Sequence, residues 1–177
     1  VNFRSSLSLN SDKNIINSRA WIQTAINISK DIETKPYNAA KLKGYLPELR
    51  GMTVKKPKEF LPRMYEIFAE CGIAFVLLPH LKNSGVNGAV KWVTEDRVVL
   101  AINNRGVYAD KFWFSLFHEI RHVLQQKIKK VFISSTLEEM MDINNKLEID
   151  ADKFAKNYLI SPEDYRRLAP SRYTSDD

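Results

Sequence analysis

Residues 112–124 read FWFSLFHEIRHVL, and the reading of this stretch decides the fold. Phe112, Trp113, Phe114, Leu116, Phe117, Ile120, Val123 and Leu124 cover most of a helix circumference, which predicts a helix buried on nearly all sides. Set into it is His118-Glu119-Ile120-Arg121-His122, so two of the chain's three histidines share one window. Residues four apart lie one turn apart on the same face, so both imidazoles can reach a single ion, with Glu119 beside the first. As a mere polar stripe, the same residues would bury two imidazoles and a carboxylate unsatisfied, at about 1–3 kcal/mol for each group. A metal ion removes that cost.

An imidazole pair with a carboxylate and an open position is the donor set that zinc most often takes, so one zinc ion and a third ligand are expected. Residues 146–158, KLEIDADKFAKNY, place Leu147, Ala151, Phe154, Ala155 and Tyr158 at helical spacing. Glu148 and Asp152 lie four apart on one face of that helix. Glu148 is the choice for third ligand, and Asp152 for the acid that holds a ligand histidine through its other ring nitrogen. Asp150 is the nearest competitor, one small rotation of the helix away. Glu138 and Glu139 fall in a mixed stretch and rank lower. In such a centre the metal supplies Lewis acidity. Glu119 takes a proton from the attacking water and returns it to the leaving nitrogen. A further donor is needed for the oxyanion, and Tyr158, Tyr108, His80 and Arg121 all stand open for it.

FWFSLFHEIRH, followed by EIDADKFAKNYLISPEDY at 148–165, resembles the ImmA/IrrE family of metallopeptidases. That family's later motif runs E-x-E-A-N/D-x-F-A ahead of a Leu-Leu-x-Pro turn. The likeness spans Phe60 to Leu168 and takes in Asn83-Ser84-Gly85-Val86-Asn87-Gly88-Ala89-Val90-Lys91-Trp92, similar to the family's Ser-Gly-Ala-containing approach to a strand. By position, the resemblance implies His118 and His122 as ligand histidines, Glu119 as the catalytic glutamate, Glu148 as third ligand and Asp152 as the Asn/Asp of the later motif. Ile160-Ser161-Pro162 matches the closing turn. It further implies a zinc hydrolase that cleaves a regulatory protein partner, often a helix-turn-helix repressor, in transcription regulation or a toxin-antitoxin or stress response. The likeness is greatest to the branch in which this domain follows a helix-turn-helix domain, HigA-like antitoxins included. DNA would then be contacted only through an N-terminal domain missing from this chain. The family's usual Gly before the second histidine is Arg121 here. That departure supports a reading of another class: a non-cleaving antitoxin or regulator C-terminal domain that uses the same fold for protein binding or sensing.

The length of 177 residues fits one domain with a real core. It divides into a helical lead-in at 1–72, a sheet with the HExxH core at 73–168, and a tail at 169–177. With 44% hydrophobic and 27% charged residues, the composition is that of a globular chain. A single cysteine, Cys71, excludes an internal disulfide and predicts a reducing cytoplasm. The longest apolar run, Ile73 to Leu78, is too short to span a bilayer, so no membrane partner is expected. VNFRSSLSLN at the start has no apolar signal core, and its Val1 suggests a piece cut from a longer chain. The net charge of +6 gathers in Lys55-Lys56-Pro57-Lys58 and Lys127-Ile128-Lys129-Lys130. Neither cluster is interleaved with stacking aromatics, so both read as solvated lysines rather than a nucleic-acid surface.

Helical periodicity runs from Ser11 to Ile32, stopped by Pro36, and again from Asn38 to Leu49, where Pro47 should kink or shorten the helix. A third helix starts at Pro57 and ends at Gly72. Ile73–Leu78, Gly88–Val93 and Arg97–Asn103 read as strands, the last two joined by a turn at Thr94-Glu95-Asp96. Asp110 is expected to cap the HExxH helix. Val131–Ile133 suggests a short strand, Ser134–Asn145 is open between loop and helix, and Ser161 with Pro162 begins a last helix. The order predicts an α+β fold: a helical bundle around a small, mainly antiparallel sheet, with a zincin-like HExxH helix.

Overall fold

Three helices precede most of the sheet, and each boundary has a local cause. The computed structural model describes residues 2–5, 12–104, 109–125 and 137–168. Helix α1 (Asp12–Ser29) ends before the expected Ile32, where Arg97 Nη2 donates to the carbonyls of Ser29 and Ile32. Asn38 caps α2 (Ala39–Gly51), its Oδ1 accepting from the Lys41 amide at 2.9 Å. Pro47 lies inside α2 without ending it. After a 3-10 turn at Met52–Val54, α3 (Pro57–Glu70) begins on its proline, and Glu59 Oε2 accepts from the Lys56 amide at 3.0 Å. Gly72 follows with φ +80, the left-handed conformation that glycine adopts without a Cβ penalty.

Strands β1 (Asn2–Ser5), β2 (Ile73–Leu78), β3 (Val86–Thr94) and β4 (Arg97–Asn103) form one mixed sheet in the order β1-β3-β4-β2. The β1/β3 and β3/β4 pairs are antiparallel and β2 and β4 run parallel, so the sheet is mainly antiparallel, as expected. Residues 79–85 carry the chain past the β4 position, and the β3–β4 turn then brings β4 back beside β2. Central β4 is buried on both faces from Val98 to Asn103. Strand β1 lies in a stretch where no element was expected.

Alternation along the strands divides the core in two. Ile73, Phe75, Val90, Val98, Leu100 and Ile102 belong with α2, α3 and α4. Ala74, Val76, Leu78, Ala89, Val99 and Ala101 pack with Trp21, Ile22 and Ala25 of α1. At Asn87 the β1/β3 pairing steps from Arg4↔Gly88 to Ser5↔Val86, one residue extra on β3. The extra residue puts Val86 on the α1 face and leaves Gly88 to the α4 face.

Helix α4 (Ala109–Leu124) is buried along most of its length, as its apolar circumference predicts. Asp110 sits inside its first turn rather than at the cap. Helix α5 (Leu137–Leu159) is continuous, so the stretch open between loop and helix is helical from Leu137. Arg50 closes its C-terminal end, donating to the carbonyls of Tyr158 at 2.7 Å and Leu159 at 3.0 Å. Ser161 Oγ accepts from the Asp164 amide at 3.0 Å and caps α6 (Pro162–Leu168). Lys55, Lys56 and Lys58 are exposed, as solvated lysines should be. Tyr108, the 127–130 cluster, the Val131–Ile133 strand and the 169–177 tail lie outside the described residues. Among the described residues no helix is long and apolar enough to cross a membrane.

Candidate metal centre

The site is made where α5 crosses α4. Leu147, Ala151 and Ala155 are buried at four-residue spacing, and the two alanines let the helix backbones approach closely. Glu148 and Asp152 each stand one residue further round, so both reach over to the histidines of α4. His118 and His122 are almost wholly buried, whereas Glu148 is half-buried.

Their ligand atoms converge. His118 Nε2 lies 2.9 Å from His122 Nε2 and 3.3 Å from Glu148 Oε2, and His122 Nε2 lies 3.2 Å from Glu148 Oε1. A tetrahedral site with bonds of about 2.0–2.1 Å has edges of about 3.3 Å, so the donor spacing fits one ion. Asp152 Oδ1 is 2.8 Å from His118 Nδ1, and a carboxylate can only accept there. His118 therefore donates from Nδ1, and its Nε2 is the atom that faces His122 and Glu148. This group could hold a metal ion, and its nitrogen and carboxylate donors are of the class that zinc accepts. Burial pushes the Glu148 carboxyl up, but the hydrogen bonds and charge of His118 and His122 outweigh this and hold it at about 2. Glu148 is thus an anion, as a ligand must be.

Glu119 is fully buried where α4 packs on the sheet. A Cβ on Gly88 would lie 2.6 Å from Glu119 Cγ, so strand β3 passes directly against this carboxylate. Only glycine leaves that room.

Of the remaining candidates, Arg121 donates from Nε to Asp150 Oδ2 at 2.7 Å, and its guanidinium lies 5.4 Å from the centre of the Phe154 ring. Both partners lie on the α5 face that carries Asp150 and Phe154, not on the one that carries Glu148 and Asp152. Asp150 takes up that pairing instead of the ligand role; burial raises its carboxyl, while Arg121 and Gln125 bring it below the usual range. Tyr158 stacks on Phe117 and Phe154 at 5.2 and 5.4 Å, and burial pushes its phenol up. Ten residues separate it from Glu148, a rise of about 15 Å along α5. His80 follows edge strand β2, in the loop that Trp21 Nε1 latches by donating to Pro79 O at 2.9 Å. Two residues of the site escaped the sequence reading, Gly88 and Gln125. Gln125 stands three residues after His122, and its Oε1 is 2.9 Å from His122 Nδ1; that i, i+3 spacing was the available signal. Compared with family models, with characterised proteins and with solved structures, the chain returns no match.

Proposed function

We propose that this chain is a zinc-dependent endopeptidase domain of the ImmA/IrrE type that acts on a regulatory protein partner in the cytoplasm. The observation that carries the reading is the convergence of His118, His122 and Glu148, with Asp152 behind His118 and Glu119 next in the chain. Zinc, when bound, supplies Lewis acidity toward an amide carbonyl and toward water. The protein's own residues do the rest. Glu119 moves the proton, taking it from the attacking water and passing it to the leaving nitrogen. Glu148 neutralises part of the ion's charge, and Asp152 keeps the His118 ring in register.

The test is cleavage of a proteome-derived peptide library by the zinc-loaded chain, read as new N-termini by mass spectrometry. New termini made by the wild type, absent with Glu119→Gln and absent after chelation, support the peptidase. A zinc-loaded wild type that makes none assigns the chain to the non-cleaving antitoxin or regulator class. The position of Arg121, held by Asp150 and laid on Phe154, favours the peptidase, because its charge is not spent over the ligand atoms.

A further inference from the structure

Gln125 lies just past α4, buried, with its amide oriented from both ends. Its Nε2 is 3.1 Å from Leu147 O and 2.7 Å from Asp150 Oδ2, and both of those oxygens can only accept. That nitrogen is therefore the NH2, and Oε1 is the acceptor facing His122 Nδ1 at 2.9 Å. His122 therefore carries a proton on Nδ1, and in the neutral ring Nε2 is left as a lone pair. Asp152 imposes the same tautomer on His118, whose Nε2 faces that of His122 at 2.9 Å. With both rings neutral, two lone pairs face each other beside the Glu148 carboxylate, whose oxygens lie 3.3 and 3.2 Å from them, and a shared cation satisfies all three donors.

We propose that Gln125 is a positioning residue for His122 and that Asp150 anchors it. Asp150 Oδ2 accepts from Gln125 Nε2 and from Arg121 Nε, each at 2.7 Å, so one oxygen fixes the amide and secures the guanidinium. The HExxH pattern requires neither residue. The two histidines are thus held by unlike partners, His118 by a carboxylate and His122 by a neutral amide that is itself held by a carboxylate. The effect on metal affinity rests on the metal-centre reading; the tautomer does not.

Two measurements separate these. In the metal-free chain, long-range proton–nitrogen correlations of the imidazoles are expected to show His122 as the Nδ1–H tautomer, shifting toward Nε2–H in Gln125→Met. In Co2+ titrations, Gln125→Met is expected to lose about 10–100-fold in affinity with altered visible bands. Asp150→Asn, whose amide oxygen can still accept from both donors, loses less than tenfold. Asp150→Leu falls as Gln125→Met does, and the double variant is no worse than either, as members of one unit behave. Melting of the metal-free variants checks that each is folded. A wild-type Nε2–H tautomer overturns the proposal, as does a Gln125→Met chain with unchanged tautomer, affinity and bands. A wild type with the Nδ1–H tautomer that binds no Co2+ overturns the metal reading and leaves the positioning role standing.

Discussion

Gly88 and Glu119 meet across the interface of β3 and α4: a side chain begun on Gly88 would lie 2.6 Å from Glu119 Cγ and 2.9 Å from its Oε1. The third neighbour, Ile102 Cδ1, would be at 3.0 Å. Gly88→Ala therefore has to displace the carboxylate or spread the helix from the sheet. Overpacking of this kind costs about 1–3 kcal/mol. Urea unfolding should show that loss, while zinc content stays at the wild-type level because Glu119 is not a ligand. Wild-type stability in Gly88→Ala would mean that the contact is absent in solution.

Ligand and neighbour should separate on α5. Glu148→Gln removes the anionic donor facing both histidines and should weaken zinc binding far more than Asp150→Asn, for which a loss under tenfold is expected. Competition with a chelating dye measures both. Equal losses would place the wrong face of α5 at the centre.

At Gly72 the obstacle is main chain. With φ +80, a Cβ would come within 2.4 Å of Tyr37 N and Cα, where the Asn38 amide donates to Cys71 O and ties the 35–38 connection to the end of α3. Left-handed strain and the clash together predict a loss of about 2–5 kcal/mol for Gly72→Ala. Gly44, exposed within α2 with nothing near its missing Cβ, is the contrast. Gly44→Ala should gain up to about 1 kcal/mol. Denaturant midpoints of the two variants should move in opposite directions.

Alkaline pH should unfold the chain early. Burial pushes the Tyr37 phenol up to about 12, with Cys71 adding to it, and burial pushes the Cys71 thiol up to about 11. Released by unfolding, the two ionise near their ordinary 10.0 and 9.0. Between those limits the unfolded chain holds fewer protons than the folded one, so stability falls as pH rises. It is whole below pH 9.0 and declines toward about 12. Urea midpoints measured across this range should slope downward, less steeply in Tyr37→Phe. Iodoacetamide should label Cys71 slowly until the chain is unfolded.

Much of this was legible in the sequence because it is periodic. The apolar circumference of 112–124, the four-residue spacing of His118 and His122, and that of Glu148 and Asp152 are local patterns, and the structure brings His118, His122 and Glu148 together. What a local pattern cannot carry is which strand lies beside which. The parallel β2–β4 pair depends on residues 79–85 carrying the chain past the β4 position, and nothing in Ile73–Leu78 states its neighbour. Gly88 reads as an ordinary strand glycine until the bulge at Asn87 turns it toward Glu119. Gln125 gains meaning only when Leu147 and Asp150 close over it. Arg121 stands out in the sequence as a departure from the Gly of the pattern it resembles, but its partner, Asp150, is 29 residues away.

The central claim is one metal ion held by His118, His122 and Glu148, and elemental analysis of the purified, zinc-supplied chain addresses it most directly. Close to one zinc per chain is expected in the wild type, retained in Glu119→Gln and lost in His122→Ala. No zinc in the wild type, or an undiminished content in His122→Ala, would contradict the account.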